Sequence, residues 1–225
     1  MTTKAVVLLS GGVDSSVAAF WASKERKWEV HALSINYGHK AQAELDSSHK
    51  IATLIAETHT VLSLNDLGLV FTSPLVNQAI KQTENSRKGD SYYVVPLRNI
   101  VFLSIAAAFA ESIGAYNVVI GNHLDDAEGF PDCRVEAIDA MQKVVNVASE
   151  KEKAPLLWSP WLARTKVDII RIGQRLGVPF KYTYSCYEDG GACGVCESCE
   201  KRFNAFLKAG IKDPIKYKKI PRIFK

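Results

Sequence analysis

No stretch of the chain approaches the ~18 consecutive apolar residues that a membrane-spanning helix needs, and the N-terminus lacks the basic, apolar, small-residue order of a leader. Neither sign of charge dominates, since 28 Lys and Arg stand against 24 Asp and Glu, and much of the difference sits in Lys216 to Lys225. Broad binding to a nucleic-acid backbone is therefore not indicated. Internal repeats and low-complexity tracts are also missing. Cysteine is scarce at five residues, yet four fall between Cys186 and Cys199, too local for a secreted disulfide framework. These absences predict a soluble cytoplasmic protein with no membrane partner. At 225 residues and 47% hydrophobic it can bury one full core but is short for two.

What is present alternates between two periods. Ala5–Leu9 and Val30–Ile35 read as short buried strands, and His59–Leu64, Val118–Ile120 and Leu156–Trp158 as a third, fourth and fifth strand. Ser15–Ser23, Ala41–Glu57, Asn99–Ile113, Val135–Val147 and Lys166–Leu176 carry helical patterns between and after them. Asn65–Tyr93 is polar and turn-rich and reads as a long loop. The order predicts an α/β fold: a doubly wound, five-stranded, mostly parallel sheet over residues 1–180, followed by a small metal-stapled helical element over 181–225.

The segment after the first strand is Ser10-Gly11-Gly12-Val13-Asp14-Ser15. In such sheets ligands bind beyond the carboxyl ends of the strands. Gly11 and Gly12 allow positive φ and close approach of backbone N–H groups to an oxygen-rich ligand, and the next helix aims its positive end at the same place. Ser10 and Ser15 add hydroxyls. Asp14 beside phosphate would repel it, so this residue is expected to cap the helix, help hold a magnesium ion, or do both. The segment lacks the Lys-Ser/Thr ending of a Walker loop and the third glycine of a dinucleotide fingerprint. A plain strand-to-helix turn is the competing reading.

Cys186-x6-Cys193-x2-Cys196-x2-Cys199, with Gly190, Gly191 and Gly194 between, reads as a closed four-thiolate zinc site with a structural role. An iron–sulfur cluster is the alternative, because the last three cysteines share ferredoxin spacing. Cys133 stands alone, and packing is the commoner fate of a single cysteine.

Ser10–Ser15 resembles the pyrophosphate loop of the N-type ATP pyrophosphatases, which share an adenine nucleotide alpha hydrolase-like fold. "YGHKAQAE", "VPLRN", "GFPDCR" and "CGVCESCEKRFNAFLKAGIKDP" extend the likeness to the 7-cyano-7-deazaguanine synthases, over Lys4 to about Tyr217. The resemblance implies a ligase that turns 7-carboxy-7-deazaguanine and ammonia into the nitrile, with ATP and Mg²⁺, through adenylated carboxylate and amide. The nitrile is the precursor of queuosine and archaeosine in tRNA. It further implies ATP contacts along Leu9, Ser10, Gly11, Gly12, Val13, Asp14, Ser15, Ser16, Val17, Ala18 and Ala19. Catalytic roles fall to Ser10, Asp14, Ser15 and Arg98. Lys40, Asp132 and Arg134 are expected at the base and its carboxylate, and Asp125 and Asp126 near magnesium. The family pattern differs at His39-Lys40-Ala41, at Ala127–Pro131, and at Leu97, where it has glycine. A tRNA thiolase or lysidine-synthetase type of adenylase and a zinc-ribbon nucleic-acid module are the rival readings. No stable nucleic-acid partner is expected, and the basic tail reads as a solvated end or an oligomer contact, compatible with a homodimer.

Overall fold

The computed structural model describes residues 2–38, 42–64, 66–71, 73, 94–150 and 152–223. Five strands form one sheet: β1 Lys4–Leu8, β2 Glu29–Asn36, β3 Thr58–Ser63, β4 Asn117–Val119 and β5 Leu156–Trp158. Their order is β3-β2-β1-β4-β5, and every pairing is parallel. The chain leaves β1 in one direction, through β2 to β3, and then returns to the other side of β1 for β4 and β5. This reversal opens a crevice past the carboxyl ends of β1 and β4, where a ligand can reach backbone from two diverging connections.

The apolar run of β1 is buried on both faces, as a central parallel strand requires. Val7 enters one core with α1 (Val13–Phe20), α2 (Gln42–Ile55), α7 (Lys166–Arg175) and α8 (Glu197–Ala209). Val6 and Leu8 enter the other, with α4 (Arg98–Ile113) and α6 (Val135–Ala148). The helix after β1 was expected over Ser15–Ser23. It begins earlier, at Val13, and runs on through a π-helical turn, Trp21–Glu25, closed by Arg26 N–H to the Trp21 carbonyl. The guanidinium of Arg26, which follows that turn, lies over the rings of Trp21, Trp28 and Trp158.

Four short elements escaped periodicity, since each is under two turns: α3 (Leu67–Val70), α5 (Asp126–Gly129) and 3₁₀ turns at Pro131–Cys133 and Phe180–Tyr182. The first falls inside the expected loop Asn65–Tyr93, most of which lies outside the described residues. The helical part of the C-terminal element is α8, and it is not peripheral. Phe206 and Ala205 join the first core, and Phe206 meets Phe180 edge to face at 5.1 Å. Arg202, fully buried in α8, makes a two-pronged bond to Asp213 at 2.9 and 3.0 Å and donates to the Phe180 and Thr183 carbonyls. Its charge is thus paired and its remaining donors are used, which burial of a guanidinium demands.

Candidate active site

A cleft of about 330 Å³ opens at the crevice beyond β1 and β4. The loop after β1 forms its floor. Of the two glycines only Gly11 has positive φ, +85°; Gly12 is extended at φ −70°, ψ 170° and serves as the N-cap of α1, correcting the expectation that both adopt the unusual conformation. Gly11 is also required by space, since a Cβ there would lie 2.5 Å from the Glu44 carbonyl oxygen and 2.6 Å from Ser48 N. A third glycine acts from a distance. Gly121, at the end of β4, passes so close that a Cβ would sit 2.8 Å from Ser15 N. The first-turn N–H groups of α1 are left for a ligand, because no side chain caps them. The Ser10 and Ser15 hydroxyls lie 3.0 Å apart across the loop.

Asp14 does not cap the helix. Its Oδ2 receives the Lys166 ammonium at 2.7 Å, and its Oδ1 lies 3.8 Å from His123 Nε2 with no hydrogen bond of its own among the described residues. Burial disfavours the Asp14 anion, but Lys166 and His123 outweigh it and hold the carboxyl below its ordinary range. Lys166 is placed by the first turn of α7, where Thr165 and Asp168 form a capping box and Lys166 N–H donates to Asp125 at 2.9 Å. His123 Nε2 is 3.4 Å from Asp126 Oδ1, while Asp126 Oδ2 accepts His123 N–H at 3.1 Å. Burial and the Asp14 charge push the Asp126 carboxyl up, against the pull of His123. Two carboxylates thus face one space, one of them with an open buried oxygen. A hard divalent cation suits that donor set.

On the opposite wall Arg98 donates to the Tyr37 hydroxyl at 3.1 Å and lies over its ring. Glu44 and Asn99 line the cleft beside it. Leu97, just before Arg98, is forced to φ +55° with its side chain two-thirds exposed. The glycine of the family pattern would sit there unstrained. Left-handed backbone costs a non-glycine residue about 1–2 kcal/mol, part of which glycine's greater unfolded-state entropy cancels. Leu97→Gly is therefore expected to raise stability by about 1 kcal/mol or less, read as a higher midpoint in urea at unchanged slope.

Ser10, Asp14, Ser15 and Arg98 are brought to the one cleft, with Leu9, Gly12 and Val13. Ser16, Val17, Ala18 and Ala19 are fully buried, and the last three belong to the first core. Asp132 turns to the start of α4, accepting Asn99 N–H at 2.8 Å, and Arg134 Nε donates to the Ala127 carbonyl; neither lines the cleft. Lys40 lies outside the described residues. Cys133 does line the cleft and accepts from the Asn99 side chain at 3.1 Å. Burial and the neighbouring carboxylates of Asp126 and Asp132 raise its thiol well above the ordinary range, so it stays protonated.

The remaining wall is the C-terminal element. Tyr184 N–H donates to the Gly11 carbonyl at 2.9 Å, and Tyr184, Ser185, Cys186 and Tyr187 border the cleft. The sulfurs of Cys186, Cys193, Cys196 and Cys199 all lie within 4.8 Å of one another, with Cys186 and Cys196 at 3.9 Å and Cys193 and Cys199 at 4.0 Å. A tetrahedral ion with metal–sulfur bonds of about 2.3 Å sets sulfurs roughly 3.8 Å apart. Backbone N–H groups of Glu188 and Cys193 point at Cys186 Sγ, and those of Val195 and Cys196 at Cys193 Sγ, at 3.3 to 3.5 Å. The four residues fit a single ion.

The NMN synthetase of Francisella tularensis superposes with a TM-score of 0.52 at 15% identity, covering 94% of this chain and 79% of that one. The U34-tRNA thiolase NcsA of Methanococcus maripaludis, solved with its [4Fe-4S] cluster, gives 0.50 at 15% identity over 83% and 60%. At that identity the likeness concerns the fold alone. Closer in sequence, a 7-cyano-7-deazaguanine synthase of Clostridium kluyveri is 41% identical over 222 residues, 96% of this chain and 98% of its own. One from Thermoplasma acidophilum is 40% identical over 227 residues, 99% and 95%. Residues 4–210 match the family model of queuosine biosynthesis protein QueC, and near-full-length identity of this order places the chain in that family.

Proposed function

We propose that the chain is an ATP-dependent carbon–nitrogen ligase that converts 7-carboxy-7-deazaguanine and ammonia to 7-cyano-7-deazaguanine, the precursor base for queuosine or archaeosine. The observation that carries this reading is the near-full-length match to synthases of that name, joined to a glycine loop on the floor of the cleft. A carboxylate resists ammonia because it is anionic and oxide is a poor leaving group. Adenylation removes both obstacles. The substrate carboxylate attacks the α-phosphorus of ATP, pyrophosphate leaves, and ammonia displaces AMP to give the amide. The amide oxygen is adenylated in turn, and loss of AMP with the nitrogen protons leaves the nitrile.

In this reading the α1 N–H groups, Ser10 and Ser15 hold the triphosphate, and Lys166 and Arg98 face the charge that develops on phosphate and acyl oxygen. Asp14 and Asp126 would hold Mg²⁺, whose chemical contribution is to neutralise the departing pyrophosphate. The four cysteines would hold one Zn²⁺ as a closed structural site; their tight spacing favours a single ion over an iron cluster, which interposes several atoms between its thiolates. The protein needs no soluble thiolate in this scheme, and Cys133 is poorly suited to supply one.

The test is the isolated second half. Synthetic 7-amido-7-deazaguanine and ATP, without ammonia, are expected to give one AMP per nitrile in the wild type and in Cys133→Ala. Wild-type protein that cannot use the amide would refute double adenylation. A folded Cys133→Ala variant that makes no nitrile would point instead to a covalent thioimidate.

A further inference from the structure

The reaction just proposed must remove protons from one nitrogen atom, and phosphate-binding groups do not supply a base for that. Ammonia that adds to the acyl adenylate becomes a tetrahedral ammonium, which must lose a proton before AMP leaves. The resulting amide keeps two N–H protons: adenylation of its oxygen gives a cation that sheds one, and the adenylated imidate sheds the last as the third carbon–nitrogen bond forms. All three losses occur at the same atom, so one base in the cleft serves them.

Asp14 is bonded to Lys166, Asp126 accepts from His123 N–H, and Asp132 turns away to cap α4. Glu44 stands across the cleft from them, on the first turn of α2. Its backbone carbonyl packs on Gly11, which fixes the turn that carries it relative to the loop. Among the described residues, Arg98 from the first turn of α4 and Tyr37 from the end of β2 bear on its carboxyl. Those two are hydrogen-bonded to each other at 3.1 Å. The geometry points to Glu44 as the general base that takes the protons of the incoming nitrogen, an assignment that rests on the ligase reading above.

Partial burial supports the role. It lifts the Glu44 carboxyl to about 7, with the pull of Arg98 opposing the rise, which is where a base working near neutral pH performs best. In the first transfer the nitrogen lone pair forms the C–N bond, one ammonium proton moves to Glu44, and the carbon–oxygen bond breaks with its electrons leaving on AMP. In the second, adenylation of the amide oxygen leaves a cationic nitrogen that gives one proton to the base; in the third, the remaining N–H bonding pair becomes the new π bond, its proton moves to Glu44, and AMP again takes the electrons of the breaking bond.

The first adenylation releases no proton, and this separates the base from a merely structural residue. Glu44→Gln should retain pyrophosphate exchange into ATP dependent on 7-carboxy-7-deazaguanine, while nitrile formation from either acid or amide falls about a hundredfold or more. The wild-type rate should decline below about pH 7 as Glu44 is protonated, an acid limb absent from the residual activity of Glu44→Gln and restored in Glu44→Asp. Nitrile formation by Glu44→Gln within threefold of wild type, or a parallel loss of exchange and nitrile, would overturn the assignment. If Glu44→Gln proves unfolded, an acid limb missing from Glu44→Asp has the same force. Wild-type protein that exchanges pyrophosphate but makes no nitrile would instead overturn the functional reading on which it rests.

Discussion

Asp14→Asn is expected to lower turnover by about a hundredfold or more, the usual cost of removing one preorganised charge from a reacting centre, with the fold intact. The fold does not depend on the carboxylate. The loop is shaped by Gly11 against α2 and by Gly121 over Ser15, and α1 is held by Val13 and Val17 in the core. The site depends on it twice. Asparagine leaves the Lys166 ammonium, 2.7 Å away, without its counter-charge, and removes one of the three carboxylates that face His123. The loss should appear in kcat at saturating ATP as well as in kcat/KM, since the interaction is strengthened in the transition state rather than in binding alone. A Lys166→Met variant should lose activity too, and the double variant should lose less than the sum, because the two groups act through one contact. Near-wild-type turnover in Asp14→Asn would remove the loop from the chemistry.

β1, β4 and β5 were readable from sequence because they are short apolar runs bounded by Gly, Pro and polar residues, so period and punctuation agree, whereas β3 is mostly polar and exposed and was legible by its place after the helical pattern of α2. β1 to β5 appear where expected within one or two residues. The loop was readable because its chemistry is contiguous: glycine, hydroxyl and carboxylate lie within six residues. The partners of that loop were not. Lys166 meets Asp14 from 152 positions away, and nothing in the local pattern of a capped helix start separates it from any surface lysine. The available signal was its place after the carboxyl end of β5, where such sheets put ligand contacts. His123 and Gly121 follow β4 and carry the same hint. Asp132 shows the converse failure, a carboxylate in a suggestive motif that satisfies the amide of Asn99 instead. Which of these two fates a carboxylate meets is decided by where the next helix begins in space, and local sequence does not encode that.

The largest effect on stability should come from the four-cysteine site. One zinc per chain is expected, and its removal, or Cys199→Ser, should melt the C-terminal element and take the cleft with it. Cys199 is buried at 1% exposure on the first turn of α8, so without a cation four sulfurs within 4.8 Å would have to be protonated or driven apart. The segments around the site cannot adjust independently. Gly194 packs so closely on the Lys219 carbonyl that no side chain fits there, and Lys218 and Lys219 N–H groups donate to Ala192 and Cys193. Arg202 then ties α8 to Thr183 and Phe180, and Tyr184 ties that strand to Gly11 in the loop. Structural zinc contributes on the order of 10 kcal/mol, as much as the net stability of an ordinary domain. Amide exchange should therefore quicken first over residues 184–223 on chelation, ahead of β1 and β4, and activity should fall as that protection is lost. A metal-free protein with unchanged melting and turnover would refute the structural role, and iron with acid-labile sulfide in anaerobically prepared protein would refute zinc.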